Sequence, residues 1–295
     1  MRVVITGAGG LVGSALTKHC ASHGDEVFAF DHHQLEIADS KQVERVISEV
    51  RPEAVINCAA WTDVDGCEAN EERANRDNVL GPENLARASR QENALLITIS
   101  TDYVFDGTKD GFYTQRDQPN PQSVYARSKL AGERAAQLAN ANTAVVRTGF
   151  VFGPGGRNFL STVIERAMAG AKLKAIGDSW GTPTYAAHLA ARLRELATLD
   201  LPGLYHVVNS GEGTTYEAFT REALRLLNLA NLTVESVTTA SLNRPAARPV
   251  NSRLRCLLSE ALGLSPLPDW QDALNEFVNF ARQESVQEWQ VGRPN

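Results

Sequence analysis

The sequence has few cysteines and no cluster of them. Its four cysteines, Cys20, Cys58, Cys67 and Cys256, lie far apart in a chain of 295 residues and include no C-x-x-C pair. This spacing excludes a dense disulfide framework and the common zinc and redox motifs. We therefore expect four buried free thiols and no metal site.

Long hydrophobic runs and basic stretches are also absent. No segment approaches the ~20 apolar residues that a membrane-spanning helix requires, and glycines from Gly7 onward interrupt the N-terminus before a signal peptide could form. Acidic residues outnumber basic ones by 35 to 29, which gives a formal charge of −6, whereas nucleic-acid-binding proteins usually have a basic patch. We expect a cytoplasmic protein that binds neither membrane nor nucleic acid.

What the sequence does contain is a regular alternation of strand-like and helix-like segments. Short apolar runs, typical of buried parallel strands, occur at residues 3–5, 27–30, 54–58, 95–100 and 143–147. Helical periodicity occurs between them at residues 11–23, 41–50, 78–91 and 123–139. This order predicts an α/β protein with a doubly wound parallel sheet of the Rossmann type.

Beyond residue 150 the alternation is less regular. Helical patterns at residues 158–170, 184–199, 215–227 and 270–282 are separated by strand-like runs at 204–208 and 233–237. A chain of this length forms one large domain or two. We predict a dinucleotide-binding domain at residues 1–150 and, at residues 151–295, a smaller α/β lobe that mainly binds substrate and returns in part to the sheet.

A glycine-rich turn lies between the first predicted strand and the first predicted helix. Gly7, Gly10 and Gly13 form the pattern G-x-x-G-x-x-G. Such glycines let the backbone approach a pyrophosphate, which then lies on the helix N-terminus, here at Leu11 and Val12. The motif is weak alone, but its place between a strand and a helix predicts a dinucleotide site.

An acidic residue, Asp31, ends the second predicted strand, 18 residues after Gly13. A carboxylate at this position can accept hydrogen bonds from the adenosine ribose hydroxyls. It also repels a 2′-phosphate, so Asp31 favours NADH without excluding NADPH. We expect His32 and His33, which follow it, to be solvated surface residues.

The candidate catalytic residues are Tyr125 and Lys129, preceded by Thr101 at the end of a predicted strand. Residues i and i+4 share one face of a helix, so Lys129 can lie beside the Tyr125 hydroxyl. We expect this cation to lower the pKa of Tyr125 and make the phenol a general acid for a carbonyl oxygen, with Thr101 supplying a further hydrogen bond.

These residues resemble the extended short-chain dehydrogenase/reductase superfamily. Within it, five further segments are similar to the dTDP-4-dehydrorhamnose reductase family. They are residues 57–65 (NCAAWTDVD), 100–105 (STDYVF), 147–153 (RTGFVFG), 181–184 (GTPT) and 248–252 (RPVNS). The resemblance extends from residue 1 to about residue 282.

The resemblance implies an activity and the residues that perform it. The family reduces the C4 ketone of dTDP-4-dehydro-β-L-rhamnose to dTDP-β-L-rhamnose with NADPH or NADH, the last step in making an activated sugar for bacterial surface polysaccharides. Tyr125 would give the proton and Lys129 would hold the nicotinamide ribose. Thr101 and Asp102 would position the sugar.

The remaining binding residues are also assigned by this resemblance, together with the need for local cations in an acidic protein. The further cofactor-binding residues are Asp39, Ser40, Ala59, Ala60, Trp61 and Ser100. The further substrate-binding residues are Tyr103, Phe150, Arg248 and Asn251. Of these, Arg248 and Asn251 are candidates for the nucleotide diphosphate and base.

The sequence departs from the family at two positions, and other functions stay open. Phe150 stands where the family often has Trp, and His188 stands where the family usually has Asp. Because of these two differences, the product could be another 6-deoxyhexose. A nucleotide-sugar epimerase or dehydratase is a second possibility, although dehydratases commonly have Asp-Glu after the threonine and this chain has Asp102 and Tyr103. A third is a non-catalytic NADP-binding regulatory subunit, and a homodimer is also left open.

Overall fold

The computed structural model describes residues 1–283. Six parallel strands form its central sheet: β1 (Arg2–Thr6), β2 (Glu26–Phe30), β3 (Ala54–Asn57), β4 (Leu95–Thr101), β5 (Thr143–Thr148) and β10 (Gly203–His206). Their order in the sheet is β10-β5-β4-β3-β1-β2. This arrangement confirms the predicted doubly wound parallel sheet, and its last strand, β10, comes from the second half of the chain.

Six shorter strands pair outside the central sheet, all in the second half of the chain. They are β6 (Val151–Phe152), β7 (Leu173–Ile176), β8 (Trp180–Gly181), β9 (Thr184–Tyr185), β11 (Thr214–Thr215) and β12 (Val234–Val237). β6 pairs with β9 and β7 with β12 in parallel, and β8 pairs with β11 in antiparallel. These short pairs are the irregular region that the sequence pattern predicts beyond residue 150.

Eleven α-helices are present in residues 1–283: α1 (Leu11–Ser22), α2 (Ser40–Val50), α3 (Val64–Ala69), α4 (Glu71–Asn75), α5 (Gly81–Gln91), α6 (Val124–Ala139), α7 (Phe159–Met168), α8 (Ala186–Thr198), α9 (Tyr216–Leu226), α10 (Leu257–Ala261) and α11 (Trp270–Gln283). A π-helical turn, Arg76–Leu80, leads into α5. Residues 284–295, the last part of the predicted substrate lobe, lie outside the described residues.

Both faces of the sheet are buried by helices. Side chains alternate along a strand, so Val3 and Ile5 of β1 pack with residues of α1 and α8, whereas Val4 packs with residues of α2, α5 and α6. A third apolar cluster, built around Phe152, Phe219 and Trp270, lies in the second half of the chain. With helices on both faces, ligands can reach the sheet only at the ends of its strands.

The start and end of α2 show how local sequence sets a helix. The Asp39 carboxylate accepts hydrogen bonds from the backbone N–H groups of Lys41 and Gln42, at 3.0 and 3.2 Å, as an N-cap residue does. At the other end Arg51 is left-handed, with φ of 48°, and Pro52 follows. The helix agrees with the prediction for residues 41–50.

The structure tests two further expectations, that the cysteines are buried free thiols and that no helix spans a membrane. All four cysteines are free, as expected, and Cys20 and Cys67 are buried. Cys58 and Cys256 are half-buried as whole residues. The thiol of Cys58 is nevertheless buried, so the prediction of four buried thiols is wrong for Cys256. Among the helices of residues 1–283, none combines the length and the apolar composition needed to cross a bilayer.

Candidate active site at the carboxyl ends of the strands

The glycine turn lies where the sheet changes direction. From β1 the chain first passes to β2 on one side and later to β3 on the other, and ligands bind at such a switch point in open α/β sheets. Gly7 follows β1 with φ of +67°, and a Cβ atom there would lie 2.6 Å from the backbone nitrogen of Ala59, which follows β3. A Cβ atom on Gly13 would overlap the carbonyl oxygen of Gly7. Side chains are therefore excluded at both positions.

This turn fits the pyrophosphate of a dinucleotide. Gly10 is the N-cap of α1 and provides no side-chain acceptor for the N–H groups of the first turn, which includes Leu11 and Val12. Unpaired N–H groups and the helix dipole together favour an anionic group at this position. Gly9 is exposed, and a Cβ atom on it would approach only the Cβ of Asp31, at 3.7 Å. Asp31 is thus beside the turn, as the spacing predicts.

The Asp31 carboxylate is fixed by its own turn. Its Oδ1 accepts hydrogen bonds from the backbone N–H groups of His33 and Gln34, at 2.8 and 3.1 Å. His32 and His33 are exposed, as expected. By contrast, the Asp39 carboxylate is used within α2, since it also accepts a hydrogen bond from Gln42 Nε2 at 2.9 Å. The backbone N–H of Asp39 likewise donates to the carbonyl oxygen of Glu36 at 3.0 Å, so both groups of Asp39 have partners within the protein.

Two buried asparagines position the segment Ala59–Trp61. Asn57 Oδ1 accepts a hydrogen bond from the backbone N–H of Ala59 at 3.1 Å. Asn78, in the π-helical turn, accepts from the N–H of Trp61 at 2.9 Å and donates to its carbonyl oxygen at 3.1 Å. Asn78 also donates to the hydroxyl of Ser128 on α6 at 3.0 Å. This segment and α6 are therefore held together by Asn78, which the sequence patterns do not reveal.

The candidate catalytic hydroxyls meet at the carboxyl end of β4. Thr101 is the last residue of β4 and Tyr125 lies in the first turn of α6, and the Thr101 side chain is close enough to the Tyr125 hydroxyl to act on its pKa. Thr101 also donates to Asp102 Oδ1 at 3.1 Å and accepts from the N–H of Tyr103 at 3.1 Å. α6 begins here because the Ser123 side chain accepts a hydrogen bond from the N–H of Ala126.

Burial changes the acid–base properties of these groups. It raises the pKa of Tyr125, against the opposing effect of the nearby Thr101 side chain. The expected lowering of this pKa by Lys129 is therefore wrong in this structure. Burial lowers the pKa of Lys129 to about 8, and its Nζ donates to the carbonyl oxygen of Ile99 at 2.7 Å. Burial also raises the pKa of Asp102 to about 6, although hydrogen bonds with Ser252 and Thr101 oppose this.

An aromatic group from both halves of the chain lies beside these hydroxyls. The Tyr103 ring meets that of Tyr125 edge-on, with centroids 6.3 Å apart, and the Tyr103 and Tyr216 hydroxyls lie close enough to act on each other's pKa. Phe150 stacks on Tyr216 with centroids 4.1 Å apart. The sequence places Tyr103 and Phe150 in the site but misses Tyr216, because that residue joins them only through the packing of α9.

Three residues that the sequence analysis assigns to ligand binding form hydrogen bonds or ion pairs within the protein. Arg248 pairs with Asp65, and its Nη1 also donates to the carbonyl oxygen of Ala246. Asn251 donates to the carbonyl oxygens of Lys109 and Gly111, at 2.6 and 2.7 Å. The third, Ser100, donates to Glu133 Oε1 at 2.5 Å. Their side chains therefore stabilise the framework of the site.

A different arginine, Arg244, acts electrostatically on several groups of the site. Arg244 is exposed, and its positive charge opposes the rise that burial causes in the pKa values of Tyr103 and Tyr216. It also adds to the lowering of the Asp65 pKa that Arg248 causes. No motif singles it out, since its relation to Tyr103 depends on the path of the chain after β12. His188, where the family usually has Asp, pairs with Glu276 at 2.9 Å.

Comparison with known proteins agrees with this geometry. Residues 1–283 match the family model "RmlD substrate binding domain". A dTDP-4-dehydrorhamnose reductase of Mycobacterium tuberculosis strain H37Rv is 40% identical over 279 residues, which are 92% of this chain and 91% of that protein. The chain belongs to the dTDP-4-dehydrorhamnose reductase family. This membership confirms the family resemblance that the sequence motifs indicate.

Two solved structures show the same fold. The dTDP-4-dehydrorhamnose reductase of Bacillus anthracis, in complex with NADP, is 33% identical and has a TM-score of 0.92, covering 95% of this chain and 99% of that one. A UDP-glucose 4-epimerase of Thermus thermophilus, in complex with NAD, is 25% identical with a TM-score of 0.82, covering 96% and 99%. The reductase family therefore shares its Rossmann-type framework with an epimerase.

Proposed function

We propose that this protein reduces the C4 ketone of dTDP-4-dehydro-β-L-rhamnose to dTDP-β-L-rhamnose with NADPH or NADH. The observation that carries this proposal is the meeting of the Tyr125 and Thr101 hydroxyls, in a family member, at the carboxyl end of β4. Hydroxyls in this place can hydrogen-bond to a carbonyl oxygen that approaches the switch point. The relatives' names supply the substrate class.

The proposed role of each residue in the reduction follows from its acid–base properties. When bound, the nicotinamide supplies the hydride that reaches C4. Tyr125 gives its proton to the C4 oxygen, and its raised pKa keeps the phenol protonated until that oxygen gains charge. Thr101 hydrogen-bonds to the same oxygen, and the Lys129 ammonium holds the nicotinamide ribose. The hydride and the proton together convert the C4 ketone to the alcohol.

The two halves of the chain have different proposed tasks. Residues 1–150 bind the dinucleotide through the glycine turn, Asp31 and the segment Ala59–Trp61. Residues 151–295 mainly bind the nucleotide sugar, and they also contribute β10 to the sheet. Asp102 and the aromatic group of Tyr103, Phe150 and Tyr216 line the sugar side. Arg244 supplies the cation that a diphosphate needs in an acidic protein.

The alternatives differ in what they do with the same site. An epimerase is the second candidate, because the Thermus thermophilus epimerase shares the fold. It would return its hydride and consume no coenzyme, whereas a regulatory subunit would bind coenzyme without turnover. A reductase for another 6-deoxyhexose would consume coenzyme and give a different configuration at C4. A homodimer and a cytoplasmic location stay predictions.

A coenzyme-oxidation assay separates these alternatives. The 4-keto dTDP-sugar is generated in place by its dehydratase and epimerase, and NADPH or NADH oxidation is followed at 340 nm, with the C4 configuration of the product determined by NMR. We expect stoichiometric oxidation and dTDP-β-L-rhamnose. Coenzyme binding without oxidation would instead support the epimerase if the sugar is converted and the regulatory subunit if the sugar is unchanged.

A pair of tyrosine variants tests the proton donor. Tyr125→Phe should lower kcat by about 10²–10⁴-fold, the usual contribution of a general acid, while NADPH still binds. Tyr205→Phe is the matched control, since Tyr205 is fully buried in β10 and its hydroxyl has no hydrogen-bond partner in the described structure. An equal loss of turnover and coenzyme binding in Tyr125→Phe would make Tyr125 structural.

A further inference from the structure

Three ionisable residues lie one helical turn apart on a buried face of α6. Tyr125, Lys129 and Glu133 follow one another at intervals of four residues, and each is less than a tenth exposed. The Lys129 ammonium donates to the neutral carbonyl oxygen of Ile99 at 2.7 Å. Its charge therefore has no direct salt bridge among the described residues, although it is buried, which is costly for an isolated cation.

The nearest turn of the helix carries a carboxylate that is held by three donors. Arg147 on β5 binds Glu133 through Nε at 2.9 Å and Nη2 at 2.7 Å, and Ser100 on β4 donates to the same carboxylate at 2.5 Å. The side chains of Arg147 and Glu133 are each only 4% exposed. The carboxylate thus cannot turn away from the position that these donors fix.

The charged groups around Lys129 act on it unequally. Glu133, on the same helix, raises the pKa of Lys129, as does Cys58, which follows β3, whereas burial lowers it to about 8. Cys58 contributes no charge near neutral pH, because burial raises the pKa of its thiol to about 12. The guanidinium of Arg147, on β5, is paired with the Glu133 carboxylate. Glu133 is therefore the group that favours a protonated Lys129.

We propose that Glu133, locked in place by Arg147 and Ser100, is a positioning residue that keeps the Lys129 ammonium charged and directed along the active-site face of α6. The inference rests on the proposed function, because it assigns Lys129 to the nicotinamide ribose. A neutral lysine would have one fewer N–H donor and would lose the attraction to the cofactor's negative charge.

A purely structural ion pair would behave differently. Replacing one member of a buried pair destabilises a protein by about 3–5 kcal/mol wherever the pair lies. Such a loss does not by itself change the pH at which a neighbouring lysine loses its proton. The pH at which coenzyme binding weakens therefore distinguishes positioning of Lys129 from stabilisation of the fold.

The experiment measures the dissociation constant of NADPH by its fluorescence between about pH 6 and pH 9.5 for the wild type, Glu133→Gln and Glu133→Asp, a range that contains both expected midpoints. In the wild type, binding should weaken with a midpoint near the pKa of Lys129, about 8. In Glu133→Gln the midpoint should fall by about one pH unit, which corresponds to tenfold in proton affinity. Glu133→Asp keeps the charge and should restore most of the wild-type midpoint.

A second buried carboxylate provides the matched control. Asp25 is 1% exposed and pairs with the N-terminal ammonium at 3.0 Å and with Arg194 at 2.6 Å. Asp25→Asn should lower the free energy of unfolding but leave the midpoint of NADPH binding unchanged. If Glu133→Gln also leaves the midpoint unchanged, Glu133 is only structural and the proposal is wrong.

A double variant covers the case in which Glu133→Gln does not fold. Glu133→Gln with Arg147→Gln removes both charges and leaves no uncompensated buried ion. The midpoint should still fall, because Glu133 acts on Lys129 and Arg147 is bound to Glu133. An unchanged midpoint overturns the proposal.

NADPH binding requires no sugar substrate, so the result of this experiment is separate from that of the coenzyme-oxidation assay. If the wild type binds NADPH but oxidises none, the proposed function fails while the proposal for Glu133 is still tested.

Discussion

Two N–H groups of Arg248 hold the two carboxylate oxygens of Asp65, at distances of 3.0 and 2.8 Å. The same carboxylate accepts a hydrogen bond from the backbone N–H of Ala246 at 3.1 Å. Asp65 belongs to α3 in the first half of the chain, and Arg248 to a loop in the second half. The pair therefore fixes that loop beside Tyr103, on whose pKa Arg248 acts.

The first prediction concerns this pair. Arg248→Met and Asp65→Asn should each lower the free energy of unfolding by about 1–2 kcal/mol, because each leaves a charged partner without its hydrogen bonds. The double variant should lose less than the sum, with a coupling of about 1 kcal/mol. Urea unfolding of the four proteins measures this cycle. Additive losses would show that the pair contributes nothing.

The second prediction concerns Arg244. Arg244→Gln should raise KM for the dTDP-sugar about tenfold and leave kcat unchanged, because the lost cation faces the diphosphate and not the ketone. The effect should shrink as salt is added. Arg134→Gln, at an exposed position of α6, is the control. A fall in kcat with unchanged KM would place Arg244 outside the diphosphate site.

The third prediction concerns coenzyme choice. Asp31→Ala removes a negative charge from the site proposed for the adenosine ribose, so the preference for NADPH over NADH should rise about five- to tenfold, as expected for a charge pair near the surface. The dissociation constants of both coenzymes, measured by fluorescence, give this ratio. NADH should bind more weakly, because its ribose hydroxyls lose a hydrogen-bond acceptor. An unchanged ratio would place the ribose elsewhere.

The fourth prediction compares two glycines of the turn. Gly13→Ala would drive its methyl group against the Gly7 carbonyl oxygen, so it should destabilise the protein by about 1–3 kcal/mol. Gly9→Ala meets only an ordinary contact with Asp31, at 3.7 Å. It should leave the melting temperature unchanged and weaken NADPH binding at least tenfold if the pyrophosphate lies there. Normal NADPH binding by Gly9→Ala would exclude that placement.

The fifth prediction concerns a buried histidine. His206 is held neutral: its Nδ1 donates to the carbonyl oxygens of Arg255 and Tyr113, and burial lowers its pKa from 6.5 to about 4. The unfolded chain takes up a proton below pH 6.5 and the folded one does not, so folding is disfavoured as the pH falls. This effect should remove about 1.6 kcal/mol between pH 6.5 and 5.

A variant isolates the contribution of His206. His206→Asn keeps a side-chain donor but cannot titrate, so the difference in unfolding free energy between it and the wild type should change by that amount over the same pH range. Urea unfolding at several pH values provides the measurement. A constant difference would mean that His206 binds its proton equally in both states.

The sheet and the cofactor turn could be predicted because their signals are local. A strand buried on both faces must be apolar throughout, and a helix buried on one face repeats every 3.6 residues. The turn at Gly7 needs glycine because of its positive φ and its approach to Ala59. Tyr125 and Lys129 share a helix face, so their spacing alone places them together.

Long-range packing decided the rest. The pKa of Tyr125 is raised because several elements together bury its hydroxyl, which no spacing along α6 could reveal. Likewise Arg248 is paired because α3 brings Asp65 to it, and the charges of both Arg248 and Arg244 act on Tyr103. The sequence by itself therefore determined the fold class, the glycine turn and the helix face of Tyr125 and Lys129, since each depends on residues close in the chain. Only the tertiary structure decided the charge partners and the burial, because these depend on segments that meet from distant parts of the chain.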